Sequence, residues 1–210
     1  NPFSLLNAFQ DRDYTNYWFS SGTPTYLIEM LRKFNVVPSD ISQMQVLSSD
    51  FDAPTENMAS ITPLLYQSGY VTIKDYDRAS RLYTLDIPNT EIRVGLMESL
   101  LPNYVEMRKE AGNTTIAKMY LSLYRDNLDE MFRLLQSYRL TVPYCNDANS
   151  EGHYQQMLYV IFSLFGRYVE VHTSTGRVDV MMKTNKSLYL YELKMNQSAE
   201  AALKASYESI

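Results

Sequence analysis

Two short apolar segments separated by a polar turn constrain the fold of this 210-residue chain more than any other feature. Residues 177–183 read RVDVMMK and residues 188–194 read LYLYELK, and both contain residue types that favour strands. The turn contains an asparagine, which suits tight turns, so a two-residue loop at 185–186 predicts an antiparallel hairpin. In that hairpin Asp179 lies directly opposite Glu192, with Cβ atoms about 4.5–5.5 Å apart.

The predicted hairpin gathers three charged residues on one face. Side chains alternate along a strand, so Lys194 shares the face of Asp179 and Glu192. Two carboxylates this close repel one another unless a cation lies between them. A neighbouring lysine relieves part of this repulsion, and a hard divalent ion held by oxygen atoms relieves more of it. The pattern therefore favours a metal site, and the alternative is a solvated charged face.

Both faces of the hairpin carry apolar residues, which bears on that choice. Met181, Leu188 and Leu190 share the charged face. Such a distribution is typical of a central strand pair covered by helices on both sides. Charged residues in a covered sheet cost free energy unless they are paired or bind a metal, which favours a functional role. The opposite face carries Val178, Val180, Tyr189, Tyr191 and Leu193.

The segment before the hairpin predicts a helix with an acidic residue at its start. Apolar residues recur there at helical spacing, and Gly166 follows as a stop. Glu151 lies at the N-terminal end of this stripe, where a negative charge is favourable in any helix, so a functional role is one of two explanations. Residues 168–172 then read as a strand. The stripe consists of Tyr154, Met157, Leu158, Ile161, Phe162 and Phe165.

The spacing D-(x)12-E-x-K made by Asp179, Glu192 and Lys194 resembles the PD-(D/E)XK nuclease superfamily, with Val178 where the family name has proline. The resemblance implies a restriction-endonuclease-like α/β core of helix, strand, β-hairpin and helix in residues 147–210. It also implies hydrolysis of phosphodiester bonds in DNA.

The same resemblance implies a set of site residues. Asp179, Glu192 and the backbone carbonyl of Leu193 would bind Mg²⁺ or Mn²⁺, and Glu151 would contact the ion directly or through water. Lys194 would orient the attacking water and stabilise the charge on the phosphate. The predicted catalytic residues are thus Asp179, Glu192 and Lys194.

A wider resemblance covers most of the chain. It is similar to bacterial proteins that join an AAA-type ATPase domain to a C-terminal PD-(D/E)XK nuclease-like domain. The chain begins without Met and ends at Ile210, where such a fold still needs a closing strand, so we expect a piece of a longer protein. No G-x-x-x-x-G-K-[ST] loop is present, so no nucleotide site is expected. The segments that carry the resemblance are residues 1–7, 16–19, 22–25, 63–70, 72–76 and 198–203.

The first part of the chain predicts a mixed α+β region in residues 1–103, read as an ATPase lid and a winged-helix-like unit. Pro24 suits the first position of a helix whose buried stripe is Tyr26, Leu27, Met30 and Leu31. Residues 70–74 and 81–87 predict a hairpin, and Asn89 can cap the helix that follows. Residues 104–146 are predicted to be a helical connector before the nuclease-like domain.

Composition narrows the choice of function. A net charge of −5 argues against a general nucleic-acid-binding surface, although residues 167–194 carry five basic and three acidic residues. A single cysteine, Cys145, excludes an intrachain disulfide and favours the cytoplasm, and no apolar stretch is long enough to span a membrane. Two hypotheses stay open. The first is a metal-dependent DNA nuclease, and the second is a catalytically inactive interaction module that serves the attached ATPase.

Overall fold

The computed structural model describes residues 2–12, 17, 24–51, 58–103, 109–139, 151–164, 168–170, 180–183, 187–193, 198–200 and 204. Backbone contacts divide the chain into two compact units, residues 1–99 and residues 100–210. Both units combine helices with a small antiparallel sheet, so the fold class is α+β. The predicted boundaries at residues 103 and 146 stay predictions. Within the described residues, no helix is long and apolar enough to cross a membrane.

The first unit contains a three-stranded sheet with the strand order β1-β3-β2. Its strands are β1 (Met44–Val46), β2 (Thr72–Asp77) and β3 (Leu82–Asp86). The predicted hairpin is confirmed, since β2 and β3 pair antiparallel. The helices are α1 (Pro2–Asp11), α2 (Thr25–Lys33), α3 (Thr62–Gln67) and α4 (Thr90–Leu100), with short 3₁₀ segments at Pro38–Ile41 and Ser48–Phe51.

Two local predictions in the first unit can be compared with the structure. Asn89 caps α4 as predicted, because its Oδ1 accepts a hydrogen bond from the backbone N–H of Ile92 at 2.9 Å. The predicted stripe of α2 is confirmed for Leu27, Met30 and Leu31 but wrong for Tyr26, which is exposed. Periodicity identifies the side of a helix on which a residue lies, but a tyrosine near the edge of the stripe can extend into solvent.

The second unit contains a helical hairpin, a third helix and a sheet. A 3₁₀ segment at Leu101–Asn103 precedes α5 (Lys109–Tyr124) and α6 (Leu128–Arg139), which pack against each other. Both helices lie in the segment for which the sequence predicts helical structure. The sheet has the order β4-β5-β6, with β4 (Tyr168–Glu170), β5 (Val180–Lys183) and β6 (Leu188–Tyr191) all antiparallel to their neighbours.

The helix α7 (Glu151–Ser163) packs against β4 and β5. Its predicted apolar stripe is buried at Met157, Leu158, Ile161 and Phe162, and Tyr154 is half-buried. Every residue from position 156 to 163 is buried. The buried surface of α7 is therefore wider than the predicted stripe, because Tyr159 and Val160 are buried outside it.

Candidate metal centre

The hairpin β5–β6 pairs in the register that the two-residue loop predicts. Val180 lies opposite Tyr191, and Lys183 lies opposite Leu188. A shift of one residue would move every side chain of one strand to the other face, so this register fixes the face on which each residue lies. The prediction is confirmed for the four described pairs, and Asp179 itself lies outside the described residues.

One face of the hairpin is buried. Val180, Met182 and Tyr191 have at most 9% of their surface exposed. The ring of Tyr191 contacts the ring of Phe162 on α7, with centroids 4.8 Å apart. Aromatic pairs of this kind add stability beyond the area that they bury. The packing of α7 on β6 therefore fixes the strand from behind.

The other face is open within the described part of the chain. Leu188 is 55% exposed and Leu190 is 50% exposed, so the prediction that both faces are covered is wrong for these residues. Alternation shows which residues share a face, but it does not show that another element covers that face. Apolar residues are common on protein surfaces, and their presence alone is poor evidence of burial.

The predicted site residues are only partly within the described residues. Glu192 and Leu193 follow directly after β6 and are both half-buried. Glu151 is the first residue of α7, and its side chain lies outside the described residues. Asp179 and Lys194 also lie outside them. Among the side chains that the structure does describe, no group of three His, Cys, Asp or Glu residues could hold a metal ion.

Two ionisable residues close to the predicted site have environments that the structure defines. His153, in the first turn of α7, is half-buried and contacts the ring of Tyr154, and burial lowers the pKa of its imidazole. Burial also raises the pKa of the Tyr191 hydroxyl, with a further contribution from Tyr189. Neither side chain lies on the face of the hairpin to which Glu192 is assigned, since His153 is on α7 and Tyr191 is on the buried face.

One residue that connects the hairpin to the rest of the unit was missed in the sequence. The hydroxyl of Tyr189 on β6 lies 3.3 Å from the backbone oxygen of Leu123 and 3.4 Å from Oδ1 of Asp126. Sequence reasoning assigned Tyr189 only to the apolar face. A tyrosine rather than a phenylalanine on a packed face was the available signal, since a buried hydroxyl usually has a partner.

Comparison with known proteins defines the class to which this region is similar. Residues 149–209 match the family model described as the PD-(D/E)XK nuclease superfamily. The matched span contains α7, the whole sheet of the second unit, Glu192 and the predicted positions Asp179 and Lys194. The match does not extend to residues 1–148.

Over nearly its whole length, the chain is similar to a protein described as "Uncharacterized protein in vnfD 5'region" of Azotobacter chroococcum mcd 1. The two are 31% identical over 204 residues, which is 93% of this chain and 39% of the relative. The chain thus spans 39% of the length of the curated relative that it matches. No solved structure matches the chain.

Proposed function

We propose that residues 149–209 form a metal-dependent nuclease domain that hydrolyses phosphodiester bonds in DNA. The register of β5–β6 is the observation that carries this proposal. Continued by one pair beyond Val180 and Tyr191, the same register would bring Asp179 opposite Glu192. The match of residues 149–209 to the PD-(D/E)XK nuclease superfamily supports the same assignment.

The donor chemistry at the end of β6 fits a hard divalent cation. A carboxylate and a backbone carbonyl follow one another at Glu192 and Leu193, and oxygen donors of this kind are what Mg²⁺ and Mn²⁺ prefer. Asp179, Glu192 and the carbonyl of Leu193 would hold the ion, and Glu151 would approach it from the start of α7. Such an ion lowers the pKa of a bound water and offsets negative charge on the phosphate.

Lys194 has a separate role in this proposal. Its ammonium group would donate hydrogen bonds to the attacking water and to a phosphate oxygen on which charge develops. A preorganised cation at such a point stabilises the transition state more than the ground state. The open face beside Leu188 and Leu190 supports access of a large substrate to this side of the hairpin.

We further propose that this domain acts within a longer, cytoplasmic protein that contains an ATPase domain, with the first unit as a winged-helix-like part. Three features support the winged-helix-like assignment: the strand order β1-β3-β2, the helices before β2, and the projecting hairpin β2–β3. The exposed tip of that hairpin carries Asp75, Asp77, Arg78 and Arg81, so its formal charges cancel. Contact with the ATPase is a better role for this unit than contact with DNA, because binding to DNA depends on positive charge.

A second candidate function is an interaction module without catalysis. The net charge of −5 favours it, since DNA repels an acidic surface. In that case Asp179, Glu192 and Lys194 would form a charge network that only stabilises the fold.

Titration calorimetry of the full-length protein with Mg²⁺ or Mn²⁺ tests the proposed site. We expect binding with a dissociation constant of roughly micromolar to millimolar, which Asp179→Ala abolishes. Asp129→Ala is the matched control, because Asp129 is an exposed acid on α6. Equal binding by wild type and Asp179→Ala would refute the assigned site.

A further inference from the structure

The turn between α5 and α6 is a well-defined structure that ends α5. The N–H of Asn127 donates to the carbonyl of Ser122 at 2.9 Å, and the N–H of Asp126 donates to the carbonyl of Leu123 at 3.0 Å. This pair of bonds is the Schellman arrangement, which requires a left-handed residue just after the helix. Asp126 supplies it with φ of 56°.

Aspartate is an unusual choice at that position. Glycine is preferred there because a side chain makes the left-handed conformation costly, and a negative charge at the C-terminal end of α5 faces the negative end of the helix dipole. Part of this cost is offset because Asp126 also lies just before the N-terminus of α6. The carboxylate of Asp126 is also an acceptor for the hydroxyl of Tyr189, a contact that glycine could not make.

Tyr189 therefore connects β6 to the end of α5. Its single hydroxyl proton lies within reach of two acceptors, the carbonyl of Leu123 at 3.3 Å and the carboxylate of Asp126 at 3.4 Å. Both distances are longer than is typical of O–H···O bonds, as expected when one donor is shared between two acceptors. Leu123 is buried, so packing holds this end of α5 in place.

We propose that Tyr189 is a positioning residue that holds the end of β6, and with it Glu192, against the α5–α6 turn. The proposal rests on the nuclease site proposed above, because it gives Tyr189 a role in placing one of the metal ligands. Glu192 follows Tyr189 by three residues, and β6 ends at Tyr191, whose ring contacts Phe162 on α7. The tether on α5 and the ring contact on α7 thus hold β6 from two elements.

Tyr191 provides a matched control on the same strand and the same face. Its hydroxyl is buried and, among the described residues, has no hydrogen-bond partner. Tyr189→Phe removes a hydroxyl that has two acceptors, whereas Tyr191→Phe removes one that has none in this part of the structure. Both variants replace a tyrosine by a phenylalanine on the same face, so a change that appears only in Tyr189→Phe reports the loss of its hydrogen bonds.

Amide hydrogen exchange of the full-length protein measures the tether directly. We expect Tyr189→Phe to speed the exchange of amides in residues 188–193 by about 2- to 5-fold, the scale of losing one shared hydrogen bond. Tyr191→Phe should not speed this exchange, because its hydroxyl has no partner among the described residues. Equal rates in wild type and Tyr189→Phe would overturn the proposal.

Binding of Mn²⁺ then separates positioning from simple stability. We expect Tyr189→Phe to weaken Mn²⁺ binding by about 2- to 5-fold at a temperature where both proteins are fully folded, with no loss in Tyr191→Phe. Asp126→Asn keeps the left-handed preference and an amide oxygen as acceptor, so it should rescue most of the affinity that Asp126→Ala loses. Faster exchange in Tyr189→Phe without any change in Mn²⁺ affinity would show a tether that does not position Glu192, and would also overturn the proposal.

The same Mn²⁺ measurements distinguish failure of the proposed nuclease site from failure of the role proposed for Tyr189. If wild-type protein binds no Mn²⁺, the proposed function fails and Tyr189 has no ligand to position. If wild type binds Mn²⁺ and Asp179→Ala does not, the site stands whatever the two tyrosine variants show.

Discussion

The strand pair β2–β3 of the first unit and the strand pair β5–β6 of the second are both antiparallel hairpins, and they differ in burial. In β2–β3 every residue of β2 after Thr72 is exposed, and among the two strands only Leu85 is buried. In β5–β6 the alternating residues Val180, Met182 and Tyr191 are buried against α7. Both hairpins have a turn and strand-forming residues, so these features alone do not decide burial.

The difference shows what a covering helix contributes. The buried face of β5–β6 meets a helix whose second half is buried on every side. The projecting part of β2–β3 instead stabilises itself across its own strands, since the rings of Tyr76 and Tyr83 lie opposite each other with centroids 4.5 Å apart. We therefore expect substitutions behind β5–β6 to cost more than substitutions on β2–β3.

The largest expected effect is that of Phe162→Ala, behind β5–β6. Phe162 is fully buried and contacts Tyr191, so its truncation should lower the free energy of unfolding of the second unit by about 3–5 kcal/mol. Tyr76→Ala on β2 is the control, and it should cost only about 1 kcal/mol because Tyr76 is 41% exposed. Urea unfolding monitored by circular dichroism measures both, and equal losses would contradict the comparison.

The next effect concerns activity at β5–β6. Lys194→Ala should slow DNA cleavage by the full-length protein about 10²-fold, the scale of losing one stabiliser of transition-state charge, and leave Mg²⁺ binding intact or slightly tighter. Lys183→Ala, on an exposed residue of β5, should change cleavage little. Lower stability with unchanged cleavage per folded molecule would instead favour the interaction module.

A smaller loss of stability is expected from removing the helix cap at the start of α4 or of α6. Oδ1 of Asn89 accepts from the N–H of Ile92 at 2.9 Å, and Oδ1 of Asn127 accepts from the N–H of Glu130 at 3.1 Å. Replacing either asparagine by alanine should cost about 1 kcal/mol, and serine should restore most of it. Thermal unfolding measures this, and an alanine variant as stable as wild type would show that the cap is dispensable.

The smallest effect is the pH response of the β2–β3 turn. The carboxylate of Asp77 accepts hydrogen bonds from the N–H of Ala79 at 2.8 Å and the hydroxyl of Ser80 at 3.0 Å, and these bonds lower its pKa below 3.8. A lowered pKa in the folded state gives stability that is present above the unfolded pKa and lost as pH falls through the folded pKa. Carbon-detected NMR titration of Asp77 should therefore give a midpoint below 3.8, and a midpoint at or above that value would contradict the turn geometry.

Local chemistry made several parts of this fold predictable. The two-residue loop at 185–186 predicted the register of β5–β6, and Asn89 predicted the start of α4, because both depend on neighbouring residues alone. Burial was less predictable. Leu188 and Leu190 on β6 were expected to be covered, yet they are 55% and 50% exposed, since coverage depends on elements distant in sequence.

For the candidate site, the sequence predicts a spacing. The assignment of Asp179, Glu192 and Lys194 rests on one hairpin pattern and stays a prediction, whereas the contact of Tyr189 with α5 was not predicted. That contact joins Tyr189 to Leu123 across 66 residues, and no periodic pattern encodes such a pairing. Tertiary hydrogen bonds of this kind depend on how two elements pack, which sequence spacing does not specify.

The strand orders β1-β3-β2 and β4-β5-β6 have a consequence for how the two sheets assemble. In the second sheet each strand pairs with its neighbour in sequence, and Glu170 pairs with Met181, which lies only eleven positions further along the chain. In the first sheet Val46 pairs with Tyr83, which lies 37 positions further along the chain. Bringing together residues that far apart costs about 1 kcal/mol more in chain entropy than pairing Glu170 with Met181. Sheets built from local contacts form faster, so pulse-labelled hydrogen exchange should find β4–β6 protected before β1. The hairpin of the proposed nuclease site would then form before β1 joins the first sheet.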